Sequence, residues 1–535
     1  MAKRKGVAVS VLGADQRRRL AQLRTLFPES LAESPDGVTL TAEVLTELIG
    51  AMGRRADAPQ FGLIWPGKQA AARLAQGQAA GVLCPCPEES LAWADTRNLF
   101  IEGDNLQALK LLRTSHAGKI QLIYIDPPYN TGNDYVYRDR FQDTTHSYLR
   151  LIGEECVDRW AATSTDTRGR AHARWLSMMY PRLLIARDLL AQTGVMLISI
   201  GDEEVHHLRS LCDEIFGDAH FCGTFIWEKK RKPSFLDPNM GRVTEYILAY
   251  AKDRAQSPPF VAGRIQSGKK YPFNNTGNGR TVLTFPRASV RFGCSDQHVR
   301  AQDMSHGSIE TVLLDDVDIV GGTNRESFRL RGEWRYSQTT VDEFVAAGDQ
   351  ITIRKVPFRP NYVSRGRRSK RTTNLLSYRV NGVPTNEDAR VEMRAVFGAD
   401  VMSYPKPSGL LKYLVRAICG PEDVVLDFFA GSGSTAVGVM AQNAEDHGRR
   451  PFILIQAPEV LDPANRAQKE AAHFCDGIGR PQTIAELTKE RLRRTAAPGG
   501  DDAHHGPQDR GFRVFRVSAV LTSTCVSAPP GPNLS

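Results

Sequence analysis

The stretch LFIEGDNLQALKLLRTSHAGKIQLIYIDPPYNTG, residues 99–132, restricts the fold more than any other. An apolar run stops at Gly103-Asp104, an amphipathic segment covers 105–114, Gly118 breaks it, and β-formers fill 120–125. A helix between two strands returns the chain so that the strands run parallel in one sheet, and parallel sheets are covered on both faces. The alternation continues with a helix over ARWLSMMYPRLLIARDLLAQ (173–192, Pro181 a kink), a strand at GVMLISI (194–200) and a helix over 202–216, with Asp202 as its cap and Gly217 as its stop. TFIWEKK (224–230) and TEYILAYAKD (244–253) read as two further strands able to pair antiparallel. Late in the chain the pattern resumes: helix 407–419, strand 423–429, helix 434–443, strand 450–456. An α/β fold with a parallel sheet follows.

Other segments interrupt it. Residues 1–90 read as a mainly helical N-terminal region, with helices at 15–30, 41–52 and 67–76 and a Pro-rich break at VLCPCPEES (82–90). Residues 229–400 have weak periodicity and read as an inserted domain between a first catalytic part (91–228) and a second part (401–492); residues 493–535 read as a loop-rich tail. Lys plus Arg exceeds Asp plus Glu, 69 against 60. The excess concentrates at Lys229, Lys230 and Arg231, at Arg367 and Arg368, and at Arg325, Arg329 and Arg335, the last group interleaved with Phe328, Trp334 and Tyr336. Guanidinium and ammonium groups neutralise phosphates and aromatic rings stack on bases, so nucleic acid is the expected partner of these groups. No apolar run reaches membrane-span length and no signal peptide is evident, so a cytoplasmic protein with no membrane partner is expected. The nine cysteines show no zinc spacing and are expected to be reduced. His206 and His207 are adjacent on one helix and do not face one ligand, so no metal site is expected.

Two loops carry chemistry. Asp126-Pro127-Pro128-Tyr129 ends one parallel strand, and Phe429-Ala430-Gly431-Ser432-Gly433 follows another. Ligands in open α/β sheets sit beyond the carboxyl ends of strands, so both loops are expected to open into one crevice. The exocyclic amino group of a base is a poor nucleophile because its lone pair is delocalised into the ring. Hydrogen bonds from it to Asp126 and to the Pro127 carbonyl would free that lone pair for attack on a methyl sulfonium, with Tyr129 stacked on the ring and Pro128 holding the backbone.

These two motifs, with LFIEGDNLQALKLL, HARWLSMMYPRLLIARDLL, GVMLISIGDEEVHHLRSLCDEIFG and PKPSGLLKYLVRAI, resemble the modification subunits of type III restriction-modification systems. The resemblance covers about residues 20 to 515 and implies a Rossmann-like S-adenosylmethionine-dependent methyltransferase fold with circularly permuted motif order, an inserted target-recognition domain and a helical N-terminal extension. It implies N6 methylation of an adenine flipped out of duplex DNA, with Asp126, Pro127, Pro128 and Tyr129 catalytic. It further implies S-adenosylmethionine contacts from Asp104, Lys406 (with Pro407), Asp427, Phe429, Gly431, Ser432 and Gly433, and from Gln456 or Glu459 where relatives carry an acid for the ribose. Expected partners are DNA, a second copy of the chain, and a restriction (helicase–nuclease) subunit. Two alternatives stay open: cytosine-N4 methylation, whose enzymes more often carry Ser at the position of Asp126, and a truncated DNA-binding relative with weak catalysis, since the chain departs from the family pattern after GFRVFRV (511–517).

Overall fold

The structure is a computed structural model, and it describes residues 31–34, 37–40, 62–131, 167–233, 239–264, 267–365, 369–402, 404–497 and 508–518. The chain divides into two units, Met1–Gly62 and Leu63–Ser535. In the first, Leu31–Ser34 and Gly37–Leu40 form an antiparallel hairpin, an addition to the mainly helical expectation; the helices expected at 15–30 and 41–52 lie outside the described residues.

The second unit is built on a ten-stranded sheet. Its strands are β1 (Val82–Pro85), β2 (Leu99–Glu102), β3 (Ile120–Ile125), β4 (Leu190–Ile200), β5 (Phe221–Glu228), β6 (Thr244–Ala251), β7 (Leu375–Leu376), β8 (Val424–Asp427), β9 (Phe452–Gln456) and β10 (Arg513–Ser518). They lie in the order β7-β5-β6-β4-β3-β8-β9-β2-β10-β1. From β4 to β10 the neighbours are parallel. β6 pairs antiparallel with both β4 and β5.

Helices α1 (Lys68–Gln76), α2 (Asn105–His116), α3 (Thr167–Leu189) and α4 (Val205–Phe216) contribute to one core, which takes Ile101, Ile123, Ile125, Ile198 and Ile455 from the sheet. Helices α6 (Ser408–Ile418), α7 (Ser434–Asp446) and α8 (Ile484–Ala496) contribute to the opposite core with Phe100, Leu122, Tyr124, Leu197 and Leu454; α5 (Asn386–Phe397) joins a smaller cluster beside them. Adjacent residues of one strand thus serve opposite cores, as the period of two requires. The result is the permuted Rossmann-like methyltransferase layering.

Several expectations need correction. The Pro-rich break contains β1, and the supposed tail contains β10, which sits between β2 and β1. β6 and β7 belong to the main sheet although both fall within 229–400. α3 runs through Pro181, and α4 begins after Glu204 rather than at Asp202. The inserted body is β-rich, with a seven-stranded and a four-stranded sheet around its own core of Phe273, Phe285, Phe328, Trp334, Phe344 and Phe358 among others. Cys84 is in a disulfide, against the expectation for that thiol, whereas Cys86, Cys212, Cys222, Cys294, Cys419 and Cys475 are free. Among the described residues no helix is long and apolar enough to cross a membrane.

Candidate active site

β3 and β8, remote in sequence, are direct neighbours: Leu122 pairs with Val425 and Ile123 with Leu426. Their carboxyl ends therefore deliver Asp126 and Asp427 to one place. A cavity of about 780 Å³ opens there, lined by Asp126–Tyr129 on one side and Asp427–Ser432 on the other. That volume is in the range of small-molecule sites.

The Asp-Pro-Pro-Tyr turn is held from three directions. Trp175 of α3, fully buried, donates its indole N–H to the Pro128 carbonyl at 2.7 Å. The Tyr129 hydroxyl donates to Glu245 of β6 at 3.1 Å. Asn130, at φ 58°, donates to Glu204 at 2.6 Å. A Cβ on Gly201 would lie 3.1 Å from the Tyr129 ring, so the glycine leaves room for that ring. Burial raises the Asp126 pKa, and the nearby Lys406 ammonium offsets only part of that effect.

The glycine loop is braced from beneath. Gly431 and Gly433 have φ of 51° and 76°, a region costly for residues with a Cβ. The Gly431 N–H donates to Gln456 Oε1 at 2.8 Å, Thr488 donates to the Gly431 carbonyl, and buried Arg491 donates to the Ser432 carbonyl at 3.0 Å. Asp427 accepts from the Phe429 N–H at 3.0 Å and from the Thr435 hydroxyl. Burial pushes its pKa up to about 7, with the two hydrogen bonds opposing.

This acid makes a testable contribution to stability. Its folded pKa lies above its unfolded value of 3.8, so the native state holds the proton more tightly. Its stabilising share is whole below the unfolded value and is lost as pH rises through about 7. Asp427→Asn is expected to flatten the fall in melting temperature between pH 5 and 8, read as the difference between the two melting curves. Equal slopes in both proteins would refute the assignment.

The remaining expected cofactor residues separate by position. Asp104 caps α2 through Gln107 at 2.9 Å, and its other oxygen lies 3.5 Å from Arg182 at the cavity wall. Gln456 spends its carbonyl oxygen on the Gly431 N–H, whereas Glu459 is exposed and lines the cavity. Lys406 turns its ammonium toward Asp126, at 2.8 and 2.9 Å, because the half-buried Asp126 and buried Glu245 carboxylates attract it there. The donor set fits S-adenosylmethionine: carboxylates at Asp104 and Glu459 suit amino and hydroxyl donors, the Phe429 ring suits an apolar face, and a glycine turn admits close approach at the start of α7.

The basic candidates scatter. Lys229 and Lys230 line the cavity, Lys229 paired with Glu245 at 3.0 Å. Arg231 donates from one guanidinium nitrogen to both oxygens of Asp388, and Arg329 is bidentate to Asp315. Arg325 and Arg335 are exposed; Arg367 and Arg368 lie outside the described residues. Phe328 and Trp334 are core residues and not a stacking platform, because strand alternation turns Arg329 and Arg331 outward and the rings inward.

Sequence reasoning missed one cluster. His172, fully buried Glu204 and His207 bring three ligand-type atoms within 4.8 Å of one another. Such a set could hold a metal ion, but here both imidazoles bond the carboxylate, at 2.6 and 2.9 Å, and Asn130 joins them. His207 is partly buried and bonded to Glu204. The helix register alone gave no sign of it, since His172 comes from α3.

Residues 120–460, well over half of the chain, match the family model described as DNA methylase. The chain belongs to the DNA methylase family. Within it, the Mod subunit of the type III restriction-modification enzyme StyLTI from Salmonella typhimurium is 32% identical over 468 residues, covering 86% of this chain and 66% of that one. The EcoPI Mod subunit of Escherichia phage P1 is 28% identical, covering 89% and 74%. The EcoP15I Mod subunit of Escherichia coli is also 28% identical, covering 94% and 77%. This DNA methylase thus spans from two thirds to about three quarters of the length of these relatives.

Proposed function

We propose that this DNA methylase transfers a methyl group to the exocyclic N6 of an adenine everted from duplex DNA, as the modification subunit of a type III restriction-modification system. One observation carries the reading: the acid–proline–tyrosine turn and the glycine turn, on adjacent parallel strands, face one cavity. Asp104, Asp427, Phe429, Gly431, Ser432, Gly433 and Glu459 hold the cofactor. S-adenosylmethionine, when bound, supplies a methyl group on a sulfonium. Asp126 and the Pro127 carbonyl accept hydrogen bonds from the amino group and pull its lone pair out of conjugation. Trp175 keeps the next carbonyl occupied and the turn rigid, so the acceptors need no reorganisation. The Tyr129 ring stacks on the base, offsetting part of the few kcal/mol that eversion costs. The proton released from the amino group passes to Asp126 or to water.

The domain reading is refined accordingly: a β-rich body near 261–371 serves as target-recognition domain, and its exposed Arg325 and Arg335, with Lys229 and Lys230 at the cavity, contact DNA. A second copy, a restriction subunit and a cytoplasmic location complete the proposal. Labelled methyl transfer from S-adenosylmethionine to unmethylated genomic DNA, followed by mapping of modified bases, tests it. N6-methyladenine at one recurrent sequence is expected. Label on cytosine N4, or none on DNA, would overturn it.

A further inference from the structure

The cavity contains an ion cluster whose arrangement is unusual for a site that must receive an amino group. Lys406 is 9% exposed. Its ammonium reaches both oxygens of Asp126, at 2.8 and 2.9 Å, and lies 3.4 Å from Glu245. Glu245, itself buried, also takes the Lys229 ammonium at 3.0 Å and the Tyr129 hydroxyl at 3.1 Å. Two cations thus balance two carboxylates, Glu245 buried and Asp126 half-buried. The same ammonium stands 5.0 Å from the centre of the Tyr129 ring.

Lys406 therefore covers the acceptor that the target amino group needs and crowds the ring on which the base would stack. It cannot stay there when the base arrives. Its backbone is anchored, since the Lys406 carbonyl accepts from Ser434 of α7 and Pro407 follows at the start of α6. The flexible four-carbon stem leaves the head free to shift. After Asp126, Glu245 at 3.4 Å is the next carboxylate within its reach.

We propose that Lys406 is a positioning residue that covers the Asp126 carboxylate while the pocket is empty and moves onto Glu245 when the target amino group takes its place. This rests on the reading of the site given above. The hand-over has a physical purpose. A buried acid with no cation takes up a proton and can no longer accept from the amino group. Burial raises Asp126, Lys406 draws it down and Glu245 raises it again; Tyr129, Tyr124 and Asp427 are its other titratable neighbours. Lys406 in turn keeps its charge: burial disfavours the ammonium, but Asp126 and Glu245 together raise its pKa above the ordinary lysine value.

The test uses single-turnover methyl transfer on a duplex carrying the mapped target sequence, measured against pH. Lys406→Met is expected to move the acid limb of the rate upward by about 1–3 pH units, the effect of losing an adjacent opposite charge, with cofactor affinity unchanged in calorimetry. Glu245→Gln is expected to move the limb downward, because Asp126 loses a like charge, while lowering the plateau rate because the amide holds the Lys406 ammonium less strongly than the carboxylate does. Opposite displacements are not produced by simple misfolding, and Glu245→Gln alone decides if Lys406→Met does not fold. Limbs that stay in place or move the same way overturn the proposal. So does a Lys406→Met protein that loses cofactor affinity with its limb unmoved, which would make Lys406 a cofactor contact. A wild type that transfers no methyl group to DNA overturns the proposed function and this inference with it; an active wild type with unmoved limbs overturns the inference alone.

Discussion

Asp126→Ala is expected to slow single-turnover methyl transfer by about 10²–10³-fold or more, the effect of removing one preorganised polar contact at a reacting centre, while cofactor affinity stays close to that of the wild type. The carboxylate stands at the end of β3, across the cavity from the glycine turn, and nothing in the described residues ties Asp126 to that turn by hydrogen bond. Alanine leaves Lys406 with Glu245 at 3.4 Å as its remaining carboxylate, so the ammonium keeps a partner and the fold should persist. Asp126→Asn is the sharper variant. It retains an acceptor of the same size without the charge, so it should fall between wild type and alanine in rate. Equilibrium binding of S-adenosylmethionine, measured beside the rate, separates the two effects. A turnover near that of wild type in the alanine variant would remove Asp126 from the mechanism.

Lys489→Met should be the most damaging change away from the cavity. Lys489 on α8 is fully buried, and its ammonium contacts Glu89, Glu102 and Glu486, the Glu102 contact at 2.8 Å. The three carboxylates come from the segment after β1, from β2 and from α8 itself, so one ammonium holds the sheet edge to the helix layer. The carboxylates could be mistaken for a cation site, but the lysine head already occupies their focus. Removing one partner of a buried ion cluster costs about 3–5 kcal/mol, because the remaining charges stay desolvated and uncompensated. Burial raises the Glu89 pKa, and Lys489 and Arg516 more than reverse that, leaving it below the ordinary carboxylate value. An acid with a depressed folded pKa adds stability above its unfolded value and loses it as pH falls through the folded one. The wild type should therefore lose this contribution in acid, and the gap between wild type and Lys489→Met should narrow as pH falls. Denaturant unfolding at several pH values checks both points. A loss under about 1 kcal/mol at neutral pH would place this ion cluster among the weak, solvent-screened kind.

Much of this fold was legible in the residues. The strand–helix–strand unit at 99–125 and its late counterpart at 407–456 have the apolar periods, caps and glycine stops that local chemistry dictates, and they appear with small boundary shifts. The two chemistry-bearing turns were legible as well, because acids, prolines and glycines at strand ends constrain the backbone wherever the chain goes. What failed was membership. β1 looked like a break and β10 like a tail because a strand only four or six residues long has too little pattern to announce itself. β6 read as a strand able to pair with β5, yet its place between β4 and β5 also depends on hydrogen bonds to β4, more than forty residues earlier in the chain.

The sequence by itself determined which residues could do chemistry: a carboxylate, two prolines and a tyrosine at one strand end, glycines at another. Only the tertiary structure decided what those groups face. It set Lys406 against Asp126, turned Gln456 into a brace for Gly431, and joined His172 to Glu204 and His207. The reason is that periodicity and capping act over a few residues, whereas charge pairing inside a cavity is settled by which strands become neighbours.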